Sequence, residues 1–314
     1  MQNTIYIMSE SFLMTQNVAA DTGIHIGDGS LYIRQNGADT NYSYRITGNA
    51  VEDQLYLLGH VIPTIESAYD IHKFGVHIAP EATWMSLNYQ SKNIALFKNK
   101  VLGLPNGRKT DLAIPRAIIG NTDLMKSCVR EILATDGVLG FYNASKNTAH
   151  RYPRIQITMT AWKVIEQIAI FLRQQVGINA SCRFGAEPGS SVWLPRHRLQ
   201  VNGSVNIDGW RREIGFSNPS HISRLMIFQR LGECPPKTSI LGRLSYLTGC
   251  SSGLRTKGPL PTPALESAVS EMREEFGSPK LNAREIIDHI QSINMRLHHL
   301  GRELPKIVES RNEA

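Results

Sequence analysis

Two aspartates, Asp28 and Asp136, each stand directly before a glycine at the end of a largely apolar stretch, 108 residues apart. A single Asp-Gly pair is common in turns and says little. Its recurrence after two comparable segments says more. A carboxylate at a helix C-terminus faces the negative end of the helix dipole, an unfavourable place that a divalent cation makes tolerable. If the two helices pack side by side, the carboxylates converge and a hard cation can bridge them through oxygen ligands. Such a centre can activate water and stabilise a leaving oxygen in phosphodiester hydrolysis.

The elements that would position these acids occur twice. Residues 9–27 read as a helix packed on most sides, with Phe12, Leu13, Ala19, Ala20, Ile24 and Ile26, and with Gly23 and Gly27 four apart on one face where a second helix can approach. Residues 124–135 are the second such helix, with Glu131 and Thr135 at the equivalent places. A carboxylate at a helix crossing is costly unless it is paired or displaced toward solvent. His25 reads as a packed core histidine rather than a general base.

After Asp28-Gly29 come alternating runs at 30–35 and 42–47 around Asn36-Gly37, a helix at 52–66 that Pro63 should kink or end, a hairpin of 72–78 with 84–89, and a helix at 91–102. After Asp136-Gly137 come strands at 138–146 and 152–158, a helix at 162–176 ended by Gly177, strands near Arg183 and 193–201, and a helix at 207–213. Gly-Leu-Pro-Asn106 closes one unit and Gly-Phe-Ser-Asn218 the other. The order helix, hairpin, helix, hairpin, helix twice over predicts an internal duplication.

With 314 residues, 41% of them hydrophobic and 19% charged, the chain has room for two packed domains and is too apolar to be disordered. Its apolar stretches are interrupted well before the roughly 20 residues that cross a bilayer, so no membrane partner is expected. The first basic residue is Arg34, which leaves no positive region for a secretory signal; a cytoplasmic site, or an organelle matrix in a eukaryote, is expected. Cys128, Cys182, Cys234 and Cys250 form no CxxC pair and have no histidine at zinc spacing. Charge is unevenly placed: residues 141–232 hold twelve Lys or Arg against four acids, a surplus of +8 in a chain whose net charge is +7. A polyanion could meet that segment. Residues 1–115 and 116–232 are thus expected as two halves, 233–263 as a Pro- and Gly-rich linker with little room for a core, and 264–314 as a helical extension with helices at 264–276 and 283–300.

Asp21-Thr-Gly-Ile-His-Ile-Gly-Asp-Gly29 and Val129-Arg-Glu-Ile-Leu-Ala-Thr-Asp-Gly137 resemble the paired motifs of monomeric, archaeal-type LAGLIDADG homing endonucleases. Residues 103–115, 151–158 and 214–219 resemble the segment joining the halves, a strand of the second half and the start of its closing helix, so the likeness covers roughly residues 9–231. The resemblance implies an α/β (α+β) fold of two pseudo-symmetric αββαββα halves, with antiparallel saddle sheets lying in the DNA major groove. It implies a monomer that makes double-strand breaks at a long asymmetric DNA site, with Mg2+, or Mn2+ as a substitute, held by Asp28, Asp136 and the carbonyls of Gly27 and Thr135. It also implies a basic residue near the scissile phosphate, for which Lys109 is the candidate in the first half and His221 lies nearer the corresponding place in the second. Groove-facing residues are expected among Tyr32, Arg34, Gln35, Ser43, Arg45, Lys146, Asn147, Arg151, Arg154, Gln156, Arg183, Arg196 and Arg198. Arg and Gln can read base edges, and Lys and the remaining Arg can hold phosphates. Glu131 in place of a small motif residue, together with the low charge of residues 143–147 and of the first hairpin, leaves a second expectation open, a non-cleaving relative that binds intron RNA as a maturase or DNA as a regulator. A two-carboxylate glycosidase is disfavoured by the basic surplus and the lack of an aromatic-rich sugar cleft.

Overall fold

A computed structural model of the chain describes residues 12–36, 39–79, 84–143, 151–185, 195–254 and 262–276. Its first helix, α1 (Gln16–Ile26), is opened by Thr15, whose hydroxyl accepts from the Val18 amide, and gives way at Gly27. Strands β1 (Gly29–Asn36), β2 (Asp39–Asn49), β3 (Gly75–Ile78) and β4 (Trp84–Tyr89) follow, with α2 between the hairpins and α3 after them. Helix α2 runs from Gln54–Tyr56 through a wider turn at Leu57–Val61 into Ile62–Tyr69. Pro63 was expected to kink or end it. The widened turn instead carries the chain past the proline, whose missing amide would break a regular ladder at that place. Helix α3 (Lys92–Leu96 continuing through Phe97–Val101) is capped by the Ser91 hydroxyl.

The order then repeats. Helix α4 (Thr122–Asp136), capped by Asn121, leads into β5 (Gly137–Tyr142) and β6 (Tyr152–Met159). Helix α5 (Trp162–Phe171 continuing through Leu172–Val176), β7 (Ala180–Arg183), β8 (His197–Asn202) and α6 (Ser204–Glu213) complete the second set. Each set forms one four-stranded antiparallel sheet, in the orders β1-β2-β4-β3 and β5-β6-β8-β7. One face of each sheet is buried: Leu31, Tyr44, Ile46 and Leu87 in the first and Leu139, Ile155, Ile157 and Leu199 in the second. Strict alternation along β6 sends Tyr152, Arg154, Gln156 and Thr158 to the opposite face. The duplicated mixed α/β architecture expected from the sequence is therefore present.

Three more helices follow, α7 (Pro219–Leu231), α8 (Ile240–Leu247) and α9 (Thr262–Phe276). Helix α8 lies inside the stretch expected to be a linker, yet it buries Ile240, Leu244 and Leu247 and packs on α7. Proline and glycine composition misled there, because Ser239 caps a short apolar stripe at i, i+4 and i+7. Helix α9 packs on α7 and α8 through Leu265, Ala268, Val269 and Met272. The helix expected at 283–300 lies outside the described residues. Among the described residues no helix is long and apolar enough to cross a membrane.

Candidate functional site

Helices α1 and α4 pack closely along their lengths because one of them presents glycines. A methyl group on Gly23 would overlap the Cys128 carbonyl oxygen and come within 2.9 Å of the Glu131 Cβ. One on Gly27 would overlap the Thr135 side chain. The glycines of α1 thus seat the larger Glu131 and Thr135 of α4, so the unequal motifs fit each other.

Glu131 is fully buried, but it is not alone. Its carboxylate accepts from Tyr56 OH at 2.9 Å, Ser217 Oγ at 2.8 Å and Arg130 Nε at 2.9 Å, and His60 Nε2 lies 3.1 Å away. Burial would push its pKa up; His60 and Arg130 overcome that and hold it down at about 2. A second buried centre lies farther back on α1. Asp21 accepts from Tyr44 OH at 2.8 Å and Tyr69 OH at 2.5 Å and pairs with Lys98, which also lies 4.0 Å from the centre of the Tyr44 ring. His25 packs against Tyr44 with ring centres 5.5 Å apart, and neither imidazole nitrogen has a partner among the described residues. Burial, with Lys98 and Lys109 adding to it, holds His25 neutral, as suits a packing residue.

Asp28 and Asp136 come together at the ends of the crossed helices, both half-buried. The Asp28 pKa is pushed up to about 7, first by burial, then by the negative charge of Asp136 and of Asp53, with Lys109 opposing. Burial also raises Asp136, again opposed by Lys109. The Lys109 ammonium lies at the C-terminus of α1, donating to the carbonyls of His25 and Ile26 at 3.0 Å, of Gly29 at 2.9 Å, and of Gly27. In the second half the buried His221 is hydrogen-bonded to the backbone of Gly137, the residue equivalent to Gly29. Burial, then Arg224 and Arg243, push its pKa down to about 3, so it is neutral at neutral pH.

Among the described residues no three His, Cys, Asp or Glu side chains gather as metal ligands. The donor set that is present consists of two carboxylates short of positive charge and main-chain carbonyls that already gather around an ammonium ion. Oxygen donors of this kind fit a hard divalent cation. Thr135 contributes its hydroxyl to the helix, donating to Glu131 O at 2.8 Å. Asp53 was missed by the sequence reading; it is held by the Asn49 amide at 2.8 Å and the Asn218 side chain at 3.2 Å, and its neighbourhood to Asp28 follows from α2 packing beside the crossing.

Register divides the expected nucleic-acid residues. Tyr32, Arg34, Ser43 and Arg45 share one face of the first sheet, since Tyr32 pairs with Ser43 and Arg45 with Ser30 and Asn88; Tyr32, Arg34 and Arg45 are exposed there, whereas Ser43 is buried. Gln35 has the parity of Leu31 and Ile33, one step from that face. Arg154, Gln156, Arg198 and Arg183 share the solvent face of the second sheet. Arg151 and Arg196 flank its strands, Arg151 lying 3.9 Å from Glu233, while Lys146 and Asn147 lie outside the described residues. Asn88, Gln200 and Asn202 were missed; their alternation within β4 and β8 was the available signal.

No protein-family model matches the chain and no curated protein matches it. Its structural neighbours are LAGLIDADG homing endonucleases. They include I-DmoI in complex with DNA and Mn (17% identity, covering 65% of this chain and 98% of that one, TM-score 0.45). A mesophilic variant of the homing endonuclease I-DmoI gives 17% identity over 64% of this chain and 90% of that one, TM-score 0.45. The meganuclease I-SmaMI bound to uncleavable DNA gives 12% over 76% and 99%, TM-score 0.44. At identities this low these are likenesses of shape.

Proposed function

We propose that this chain is a divalent-cation-dependent, sequence-specific DNA endonuclease of the LAGLIDADG homing type, acting as a monomer. The observation that carries the reading is the meeting of Asp28 and Asp136 at the base of one helix crossing, between two sheets with polar and basic outer faces. Asp28, Asp136 and the carbonyls of Gly27 and Thr135 would hold the cation, Mg2+ or Mn2+. When bound, such an ion supplies a hydrolytic nucleophile at neutral pH and offsets charge on the leaving oxygen. Lys109 keeps the C-terminal carbonyls of α1 in place; burial lowers its pKa, and the neighbouring charges of Asp136 and Asp28 oppose that and favour its ammonium form. The sheets hold the duplex. Arg183 and Arg198 stand directly opposite each other across β7 and β8, a concentration of positive charge suited to the phosphate backbone.

One ground for a non-cleaving role is the cost of Glu131, and its hydrogen-bonded partners offset that cost. Cutting of duplex DNA from a source locus, followed with Mg2+ in wild type and in Asp28→Asn and Asp136→Asn, tests the proposal. Double-strand breaks by the wild type, lost in both variants with DNA binding kept, are the expected result. Tight binding of structured RNA with no duplex cut at all would defeat it.

A further inference from the structure

Strand register places the two sheets in correspondence. Ile46 pairs with Gly29 and Leu87, and Ile157 with Gly137 and Leu199. One residue along, Arg45 with Asn88 is therefore equivalent to Gln156 with Gln200, and both pairs lie beside the Asp-Gly junctions. The partners are in contact: Arg45 Nε donates to Asn88 Oδ1 at 2.7 Å, and Gln200 Nε2 to Gln156 Oε1 at 2.9 Å. Two residues farther out on β6, Arg154 Nε donates to Asn202 Oδ1 at 2.6 Å and its guanidinium lies 4.5 Å from the centre of the Tyr142 ring. A cross-strand carboxamide thus holds each guanidinium through Nε. That leaves the Nη1–Nη2 edge, the fork that matches guanine O6 and N7. The tied glutamines keep an amide that matches adenine N6 and N7.

We infer that Arg45 and Arg154 read guanines and the Gln156–Gln200 pair reads an adenine, so that the innermost bases read on the two sides of the cleavage centre differ. This assignment rests on the duplex-cutting reading above. Strand rise and base-pair rise are both about 3.4 Å, so the Arg154 guanine falls about two base pairs outside the adenine. Holding the fork before DNA arrives removes side-chain freedom that would otherwise be lost on binding.

The test is selection of bound sites from a randomised double-stranded DNA library by the full chain in Ca2+. Wild type should enrich a guanine on one flank, and on the other an adenine with a guanine about two pairs beyond. Arg45→Ala should erase the preference at the first of these alone, by about tenfold or more. Transplanting the pair, Gln156→Arg with Gln200→Asn, should turn the adenine preference into guanine. Arg183→Ala is the control and should weaken all sequences alike. A specific site whose base preferences are indifferent to Arg45→Ala and to the transplant overturns the assignment and leaves the endonuclease reading standing. Failure to enrich any duplex overturns both.

Discussion

His221 and Asp28 are both titratable groups shifted first of all by burial, and stability against pH should show them with opposite sign. His221 has its pKa lowered to about 3, so its contribution is complete above pH 6.5 and is lost as pH falls toward 3. Asp28 has the opposite sign. Its pKa is raised to about 7, so the favourable protonated form is present below the ordinary value of 3.8 and is lost as pH rises through 7. Each group alone tilts stability by about 1.4 kcal/mol per pH unit within its window, and the two tilts oppose each other. Denaturant unfolding of the cation-free protein between pH 4 and 8 should therefore show the His221→Gln and Asp28→Asn variants departing from wild type with slopes of opposite sign. At pH 8, Asp28→Asn should be the more stable protein by on the order of 2–4 kcal/mol. Parallel curves would mean that neither burial is felt. At this scale the two acids were legible in the sequence through their repeated Asp-Gly setting. The four partners of Glu131 were not, because Tyr56 and His60 of α2 and Ser217 before α7 reach it from two distant segments that only the folded chain brings together.

Helix crossing is the element on which the site depends. Gly23 and Gly27 admit the backbone and side chains of α4, and a single methyl there has no space to enter. Gly23→Ala and Gly27→Ala should each cost about 1–3 kcal/mol in denaturant unfolding, despite alanine's better helix propensity. A gain in stability would contradict the crossing. The hairpins and their alternation could be read from sequence, since period-2 burial survives in the residue pattern of β6. Helices α2 and α8 could not be read in full. Pro63 signals a break that a widened turn absorbs, and Gly242 sits in α8 because its missing side chain admits the Leu254 backbone. Both are cases of tertiary packing overriding a local signal.

Across the whole molecule, α8 ties the first half to α7 rather than trailing from them. Arg243 is fully buried; it donates from Nη2 to Glu52 Oε2 at 3.1 Å and Ser220 Oγ at 3.0 Å, and from Nε to Ser223 Oγ at 2.9 Å. Glu52 belongs to the first half and also accepts the Ile240 amide at 2.8 Å, so one carboxylate joins first half, α7 and α8. Arg243→Met leaves that acid without its charge partner and should destabilise the protein by about 3 kcal/mol. Hydrogen exchange should then quicken in α8 and at the start of α2 together; quickening in α8 alone would show that the extension is an independent appendage. In the proposed function Asp28 and Asp136 form one cation centre and not two. Calorimetric titration of Mn2+ into wild type, Asp28→Asn, Asp136→Asn and the double variant tests it most directly. A shared centre predicts that either single substitution removes as much binding as both together. Two independent, additive losses would contradict it.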